Sequence, residues 1–575
     1  MSNGHSKRPA FPRGETAGGS PSPARPKADD PRPPAGNPEA PLARRSPYAR
    51  WRALALFGVY LAIAAHVVHW RLSGRTLAPL ELHEVMFTLE LGVVTAGFLF
   101  MALACVATAT FGRFLCGWGC HIMALEDGCA WLLRRAGLRP KPIRSRLLAW
   151  VPLGVLVYMF LWPQVLRIGE GRPFPPLRFS SDTEGVASFA TTNFWRNLPG
   201  PWITALTFLV VGLLAVWVLG SRGFCAYGCP YGALFGLADR LAPGRVRVNE
   251  RCRQCGTCTA VCTSGVRVHE EVRNFGMVVD PRCVKDLDCV GSCPERALSF
   301  GFGRPALAKG TARGAPALRR YDFTLLEEAG MGVVFLATLL AFRGLYNRVP
   351  FLLTVGLGGV AAYVAVLLAR LATRREVSLA AAPLKAAGRV RPAGWAFAAT
   401  AALFFGFAAQ SGFVQFHVWR GRKAFEEIRS GRGSSALAES ALADFAAVDR
   451  WSLLPTVETK VRLAWLRAGR GEREDSERLL REAVAVDPHH AESRFFLGES
   501  LSARGETGEA MEHYAEAVRL DRRHGPARWR LGLLHLARGE REAAARLFGE
   551  AGAIDPRYVE AARAALEGAG PVSAR

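Results

Sequence analysis

The sequence predicts a multi-domain protein in which an α+β domain is inserted into a polytopic α-helical membrane domain of about seven spans, with an all-α solenoid following it. Three observations predict this fold. Apolar blocks of about 20 residues, long enough to cross a bilayer, recur before residue 417. All thirteen cysteines fall between residues 105 and 293, and a period of 34 residues begins near residue 457. The predicted tail, four-span unit, cysteine-rich domain, further three spans and helical repeats are 1–48, 49–240, 241–305, 306–420 and 421–575.

Each predicted span is apolar enough to cross the hydrocarbon core of a bilayer. A soluble alternative would require many long helices that are fully buried. The fifth block is the weakest, because Arg343 interrupts it and Glu327 and Glu328 precede it. The seven predicted spans are 52–70, 85–111, 147–166, 202–220, 329–346, 351–369 and 394–416.

The formal net charge of +24 would by itself suit a nucleic-acid-binding protein. The basic residues, however, gather at 44–52, 134–146 and 370–391, beside the ends of predicted spans. The positive-inside rule places these stretches on the cytoplasmic face of a bacterial inner membrane, and no nucleic-acid partner is expected. The cysteine-rich domain then lies in the cytoplasm, and the chain after about residue 417 lies outside.

The remaining stretches follow from this topology. The connections at 71–84, 167–201 and 347–350 are expected outside. Residues 1–48 are rich in Pro, Ala, Gly and Arg, which predicts a disordered cytoplasmic tail without a cleavable signal. The predicted exterior has no cysteine, so a disulfide framework is not expected and the thiols remain available to metal.

Two cysteine runs lie between the fourth and fifth predicted spans. "CRQCGTCTAVC" has C-x2-C-x2-C-x3-C spacing, and "CVKDLDCVGSCP" repeats it with aspartate at the second position. This is the spacing of bacterial two-cluster ferredoxins, in which the fourth cysteine of each run binds the other cluster. A structural zinc site would use one set of four ligands rather than two. The predicted ligands are Cys252, Cys255, Cys258 and Cys293 for one [4Fe–4S] cluster, and Cys262, Cys283, Asp286 and Cys289 for the second.

Asp286 leaves alternatives open at the second site. A carboxylate oxygen is harder than a thiolate and holds its iron more weakly, so the site would hold either a four-iron cluster with an aspartate ligand or a [3Fe–4S] cluster. Alternatively, Asp286 is a solvated loop residue and the second site is empty. Thr263 replaces the proline that usually follows such a run, and it is interpreted as a turn residue rather than a ligand.

The membrane unit contains an internal repeat. "RFLCGWGCHIMAL" at 113–125 and "RGFCAYGCPYGAL" at 222–234 align with a constant offset, each after a predicted span. On a helix, the two cysteines of a C-x3-C pair share one face, and pseudo-symmetry would bring both pairs together. Such thiols suit copper, a further cluster or dithiol chemistry, or else they are small apolar residues in tight turns. The isolated Cys105 and Cys129 are expected to be packing residues. The candidate additional thiol site is Cys116, Cys120, Cys225 and Cys229.

Together these motifs resemble the NapH/NosR/CcoG-type membrane ferredoxins over about residues 50–300. The resemblance rests on "CGWGCH" and "CAYGCPYGA" followed by the two cysteine runs. It implies electron transfer at the inner membrane: quinol oxidation supporting periplasmic reductases in some members, and cupric-ion reduction during oxidase assembly in another. His121 departs from the family motif, which commonly has proline there.

Ionisable residues also lie in or near the first two predicted spans. His66 and His69 are near the outer end of the first, Glu90 lies inside the second, and His83 and Glu84 lie in the connection. Together they would suit a quinol site that releases protons outside. The alternative is interfacial histidines and a carboxylate paired within the bundle.

The C-terminal period resembles tetratricopeptide repeats. Leu463, Leu497 and Leu531 recur at this period, and Asp-Pro turns end two of the units. Stacked helix pairs form a concave surface, so a protein partner is expected there and catalysis is not. A degenerate unit at about 420–455 is expected to continue directly from the last span.

Three functional hypotheses follow. In the first, an inner-membrane protein passes electrons between cytoplasmic clusters and a quinone pool or periplasmic acceptor, and its repeats dock a partner. In the second, a metalloenzyme assembly factor or copper reductase uses the thiol pairs. In the third, the chain is a scaffold with vestigial clusters.

Overall fold

The computed structural model describes residues 46–80, 84–138, 140, 142–180, 187–195, 200–308, 321–347, 349–379 and 382–568. Within these residues, six helices are long and apolar enough to cross a membrane. The predicted tail lies outside the described residues up to residue 45. The bounds of the six helices are Pro47–Ser73, Leu148–Gly169, Pro201–Leu219, Leu325–Phe342, Phe351–Thr373 and Pro392–Arg432.

The second predicted span, 85–111, is two helices. Helix Glu84–Leu91 ends at Gly92, and a separate apolar helix of 16 residues, Ala96–Phe111, follows it. Glu90, which was predicted inside the span, therefore lies in the short first helix. The sequence prediction of one continuous span is wrong at this point.

Gly92 explains the break. Its φ is +72°, and a Cβ there would lie 2.3 Å from the carbonyl oxygen of Pro176. Val93 then forms a β-bridge with Arg178, which follows the third span. The chain is therefore extended between the two helices, and the apolar helix starts anew.

The fifth predicted span corresponds to helix Leu325–Phe342, which begins earlier than predicted. Thr324 and Glu327 form a capping box, in which each side chain accepts a hydrogen bond from the backbone N–H of the other. Glu327 also pairs with Arg370 at 2.7 Å, so this acidic first turn is neutralised. Arg343 lies just beyond the end of the helix and does not interrupt it.

The cysteine-rich domain is closed by a two-stranded antiparallel sheet that joins its two ends. Val246 lies opposite Phe300 in this sheet. The core beneath it consists of valines packed around cysteine thiols. The strands are Gly244–Val248 and Leu298–Phe302, and the helices between them are Thr257–Ala260, Val268–Phe275 and Asp288–Gly291.

Shorter elements connect the spans. The helices near the two C-x3-C motifs are Phe114–Trp118, His121–Arg135, Gly223–Tyr227 and Pro230–Leu241. Two connections pair through strands Thr76–Leu77 and Ala190–Thr191. A small antiparallel sheet that the sequence did not predict lies between the last two spans, and its strands are Val377–Leu379, Ala382–Ala386 and Arg389–Val390.

The connections fall at opposite ends of the helical bundle. The first span starts at Pro47, beside Gly291 of the cysteine-rich domain. It ends near Thr76, which pairs with Thr191 in the connection between the third and fourth spans. The cysteine-rich domain therefore lies at one end of the bundle and the paired connections at the other.

The C-terminal helices stack as pairs. Gly498 lies against Tyr514, and a Cβ there would be 2.7 Å from the aromatic ring; Gly532 and Phe548 repeat this contact. Small and large residues therefore alternate across each pair, as in tetratricopeptide repeats. The helices are Ser435–Trp451, Val457–Gly469, Arg473–Val486, Ala491–Ala503, Thr507–Leu520, Gly525–Ala537, Arg541–Ile554 and Arg557–Gly568.

The last span continues directly into these repeats. Its C-terminal part packs against Ser435–Trp451, so the two form the degenerate first unit. The N–H of Leu453 donates to the hydroxyl of Tyr346, in the connection after the fifth span. The repeats therefore attach to the end of the bundle that is opposite the cysteine-rich domain.

Candidate iron–sulfur and thiol sites

The two predicted ligand loops, residues 252–258 and 283–289, have the same backbone shape. The two residues that flank Cys255 have φ of 56° and 78°, and those that flank Asp286 have φ of 55° and 61°. Left-handed φ is unfavourable for residues other than glycine, and both flanking residues of the second loop carry side chains. Asp286 therefore occupies the position that Cys255 has in the first loop. The flanking residues are Gln254 and Gly256 in the first loop and Lys285 and Leu287 in the second.

The first predicted ligand set faces a cleft that opens to solvent. Its four cysteines all line this cleft. The Cys255 side chain is exposed. Burial, together with the neighbouring Cys255, raises the pKa of the Cys258 thiol to about 11, so metal binding would displace its proton. The four cysteines brought together here are Cys252, Cys255, Cys258 and Cys293.

Three of the four residues in the second predicted set are buried, and Cys262 is half-buried. Cys283, Asp286 and Cys289 are 8%, 6% and 5% exposed. Burial is the main cause that raises the pKa of Cys262 above its usual range, and the neighbouring Asp286 and Cys283 add to it. Burial, followed by Cys283, Asp286 and Cys262, does the same for the pKa of Cys289. The structure therefore brings Cys262 to the second run.

The donor sets fit iron–sulfur clusters better than single ions. Across the described parts of the chain, no three His, Cys, Asp or Glu side chains are close enough together to hold one metal ion. A zinc ion needs its four ligands around one centre. A four-iron cluster instead presents separate iron atoms to separate thiolates, so its ligands need not converge on one centre.

Asp286 belongs to a network of polar side chains. Thr263 Oγ1 donates to Asp286 Oδ2 at 2.8 Å, and Arg52 Nη1 lies 3.7 Å from the same oxygen. Arg222 Nη2 donates to Thr263 Oγ1 at 3.2 Å. Asp127 bridges the two arginines, at 3.1 Å from Arg52 and 2.6 Å from Arg222. Asp286 is therefore a buried carboxylate with partners rather than a solvated loop residue.

Residues 113–120 and 222–229, here called the thiol turns, are breaks between helices. Cys116 lies in the short helix Phe114–Trp118, whereas Cys120 is the N-cap of the next helix. The prediction that each pair shares one helix face is wrong, because Gly119 ends the short helix. In the second turn, Cys225 and Cys229 have the corresponding positions on either side of Gly228.

The four thiols nevertheless come close together. Cys116, Cys120 and Cys225 pack in one apolar cluster. Burial, and to a smaller extent the neighbouring Cys116, raises the pKa of Cys120 to about 11. Burial, followed by Cys120, raises the pKa of Cys229 to about 12, so these thiols are protonated at neutral pH unless metal binds.

The second ligand loop lies directly on the first thiol turn. A Cβ at Gly117 would be 2.3 Å from the carbonyl oxygen of Val284. Trp118 Nε1 donates to the carbonyl oxygen of Lys285 at 2.9 Å. Val284 also packs against the thiols of the apolar cluster, so the buried ligand set and the thiol turns share one interface.

Sequence reasoning missed Glu126, which is fully buried beside the second thiol turn. Its Oε1 accepts hydrogen bonds from the backbone N–H groups of Phe224 at 2.9 Å and Cys225 at 3.4 Å. Burial raises the pKa of Glu126 to about 7, although Arg222 opposes this shift. The internal repeat did not reveal it, because the second copy has no acidic residue at the equivalent position.

The remaining predicted residues have structural partners. His66 Nε2 lies 3.1 Å from the Leu77 carbonyl oxygen, and His69 Nδ1 lies 3.0 Å from Thr76 Oγ1. These contacts favour interfacial histidines over a quinol site. His83 lies outside the described residues. Among the other candidates, Glu84 is buried at the start of its helix, and Cys105 and Cys129 pack in apolar clusters.

Comparison with known proteins assigns the membrane motif to a family. A family model described as a 4Fe-4S binding domain matches residues 93–139 and 202–249, each of which contains one thiol turn. The chain is 26% identical over 201 residues to the ferredoxin-type protein NapH of Haemophilus influenzae, covering 33% of this chain and 62% of NapH. The chain is similar to NapH-type membrane-bound 4Fe–4S proteins. The resemblance predicted from the motifs is thus confirmed.

Two further relatives are similar to this chain. It is 25% identical over 200 residues to the methylamine utilization ferredoxin-type protein MauN of Methylorubrum extorquens, covering 33% of this chain and 63% of MauN. It is 32% identical over 145 residues to YccM of Escherichia coli, covering 25% of this chain and 36% of YccM. The chain therefore spans between about a third and two thirds of the lengths of these relatives.

Two solved structures match part of this chain. MamA is 23% identical, with a TM-score of 0.22, and the match covers 25% of this chain and 83% of MamA. YrrB, described as a TPR protein with an unusual peptide-binding site, is 17% identical, with a TM-score of 0.22 and coverage of 30% of this chain and 86% of YrrB.

Proposed function

We propose that this iron–sulfur protein carries single electrons between a soluble partner at the solvent-open cleft and an acceptor in or beyond the inner membrane. The supporting observation is the contrast between its two ligand sets. Cys255 is exposed in the cleft, whereas Cys283 is buried in the loop that packs on the first thiol turn. A carrier between solvent and membrane needs such an arrangement.

Two four-residue sets would hold the clusters. Bound iron–sulfur clusters supply reversible one-electron chemistry, with potentials set by charge, hydrogen bonds and exposure. The chain makes the two environments unequal, because solvent reaches the cleft while Arg52 and the Asp286 carboxylate lie at the buried set. The sets are Cys252, Cys255, Cys258 and Cys293, and Cys262, Cys283, Asp286 and Cys289.

The proposed orientation has the cysteine-rich domain in the cytoplasm and the repeats outside. Arg144 donates to the carbonyl oxygen of Gly265 in the cysteine-rich domain, and Arg370 donates to Asp322, whose side chain accepts from the backbone of Arg144. These basic residues therefore lie on the side of the cysteine-rich domain, as the positive-inside rule requires of a cytoplasmic face. The acceptor is then the quinone pool or a periplasmic protein bound by the repeats. A C-terminal reporter that is active only in the cytoplasm should be inactive; activity would contradict this orientation.

The decisive experiment measures quinone-linked turnover of the full chain in liposomes. Dithionite would be added outside, and reduction of a membrane quinone would be followed spectroscopically. Cys283→Ser should abolish the transfer that wild type supports, and Cys105→Ser, which alters a packing cysteine, should not. A wild-type rate in Cys283→Ser would refute the proposed route through the buried ligand set.

A second candidate function is metal handling at the thiol turns, and the convergence of four thiols favours it. Soft thiolates prefer Cu(I). Anaerobic copper titration should then give a stoichiometric complex that Cys116→Ser and Cys225→Ser both lose, with Cys129→Ser as the control. Equal binding in all variants would exclude these thiols as a copper site.

A further inference from the structure

The two departures from the regular ferredoxin pattern contact each other. Thr263 stands where proline usually follows the first run, and Asp286 stands where the second run usually has cysteine. They are 23 positions apart, yet Thr263 Oγ1 donates to Asp286 Oδ2 at 2.8 Å. Proline could not make this bond because it has no hydroxyl.

The contact leaves the two carboxylate oxygens in different environments. Oδ2 accepts from Thr263 and lies 3.7 Å from Arg52 Nη1, a contact too long for a hydrogen bond; this nitrogen has no hydrogen-bond partner among the described residues. Among the described residues, the hydrogen bond that Oδ1 accepts is a long one, 3.4 Å, from the backbone N–H of Asp288. One oxygen is therefore held by the protein while the other remains available.

The position of Thr263 is itself held from the membrane domain. Arg222, which opens the second thiol turn, donates to Thr263 Oγ1 at 3.2 Å, so the hydroxyl proton is directed toward Asp286. Both Arg222 and Arg52 are buried, with 5% and 6% exposure. A hydroxyl that accepts from a buried arginine and donates to a carboxylate has its direction fixed.

We infer that Thr263 is a positioning residue that makes Asp286 an iron ligand, with Oδ2 held by Thr263 and Oδ1 offered to the corner iron of the second cluster. Carboxylates that bind metal are generally oriented by hydrogen bonds to the oxygen that does not bind. This inference rests on the proposed second cluster. A cysteine at position 286 would have no second oxygen to orient, so it would not need Thr263.

The test is a double-mutant cycle on the anaerobically purified full chain. The variants are Thr263→Val, which keeps the shape but removes the hydroxyl, Asp286→Cys, and the double variant. Iron and acid-labile sulfide would be counted, and EPR of the oxidised protein would detect three-iron clusters. Thr263→Ser, which keeps a hydroxyl at this position, is the matched control.

We expect about eight irons per chain in wild type, since two four-iron clusters are held. Thr263→Val should lose the corner iron and show the three-iron signal, whereas Thr263→Ser should match wild type. In the Asp286→Cys background, Thr263→Val should change neither the iron count nor the EPR spectrum. The effect of the hydroxyl is therefore expected only when position 286 is aspartate.

Three results would overturn the inference. Thr263→Val could match wild type, or it could lose the same iron in both backgrounds, which would mean that Thr263 only supports the fold. Wild type could also hold about four irons that rise only with Asp286→Cys, so that Asp286 is no ligand. A full iron complement without quinone reduction would instead refute the proposed function and leave the role of Thr263 intact.

Discussion

Asp239 is the counter-charge of two cations that are completely buried. Lys285 Nζ lies 3.0 Å from Asp239 Oδ1, and Arg245 Nη1 lies 2.7 Å from Asp239 Oδ2. All three side chains have an exposed fraction of 0%. Asp239→Asn would leave both cations buried without a carboxylate, and removing one partner from such a network costs about 3–5 kcal/mol.

This cost should appear as opening of the second ligand loop, because Lys285 lies between Cys283 and Asp286. Amide hydrogen exchange of residues 283–289 in the full chain measures the free energy of that opening. A cost of about 3–5 kcal/mol corresponds to exchange that is roughly 10²- to 10⁴-fold faster.

A surface ion pair of the same domain provides the control. Glu295 lies 3.5 Å from Arg253, whose side chain is 76% exposed, and such pairs contribute about 0–1 kcal/mol. Glu295→Gln should therefore leave the exchange of the loop within about fivefold of wild type. Unchanged exchange in Asp239→Asn would refute the view that this carboxylate holds the loop.

Three further predictions address other parts of the chain. Gly498→Ala places a Cβ 2.7 Å from the ring of Tyr514, so calorimetry should show the repeats destabilised by about 1–3 kcal/mol; an unchanged transition would contradict this packing. Burial raises the pKa of Glu271 from 4.5 to about 7, so between these values the folded domain binds more protons than the unfolded one. Its stability should then fall as pH rises through this window, and the thermal midpoint of cluster loss should fall less in Glu271→Gln; equal pH slopes would exclude this carboxyl as the cause. Trp118→Phe removes a hydrogen bond to the second ligand loop, so amide exchange in that loop should become roughly fivefold faster at a cost of about 1 kcal/mol, and no change would mean that the contact does not stabilise the loop.

The spacing of residues along the chain predicted the local structure of the ligand loops and of the repeats. The run from Cys252 to Cys262 specifies a tight loop and a short helix, and the second run repeats that shape even with Asp286 in place. The 34-residue period likewise specifies helix pairs, because Gly498 must make room for Tyr514. In both cases the residues that define the pattern also form the contact.

Other features depend on residues far apart in the chain, and the sequence did not predict them. The arginine at position 52 reads as a membrane-flanking charge, yet it reaches Asp286 across more than two hundred residues. Gly92 ends a helix because the distant Pro176 approaches it, and apolarity alone could not indicate this break. In the sequence, Thr263 is only a replacement for the usual proline, because its contact with Asp286 is visible only in the structure.

The repeats are joined directly to the last span. Helix Pro392–Glu427 is continuous through the last span and into the first repeat unit. Asp444 is fully buried at this junction and accepts from both His417 and Arg420, each at 2.7 Å. Through these two contacts, Asp444 orients its own helix, Ser435–Trp451, against the helix that contains the last span. The first repeat unit is therefore packed directly against the last span, so under the proposed function a protein bound there would lie next to the bundle.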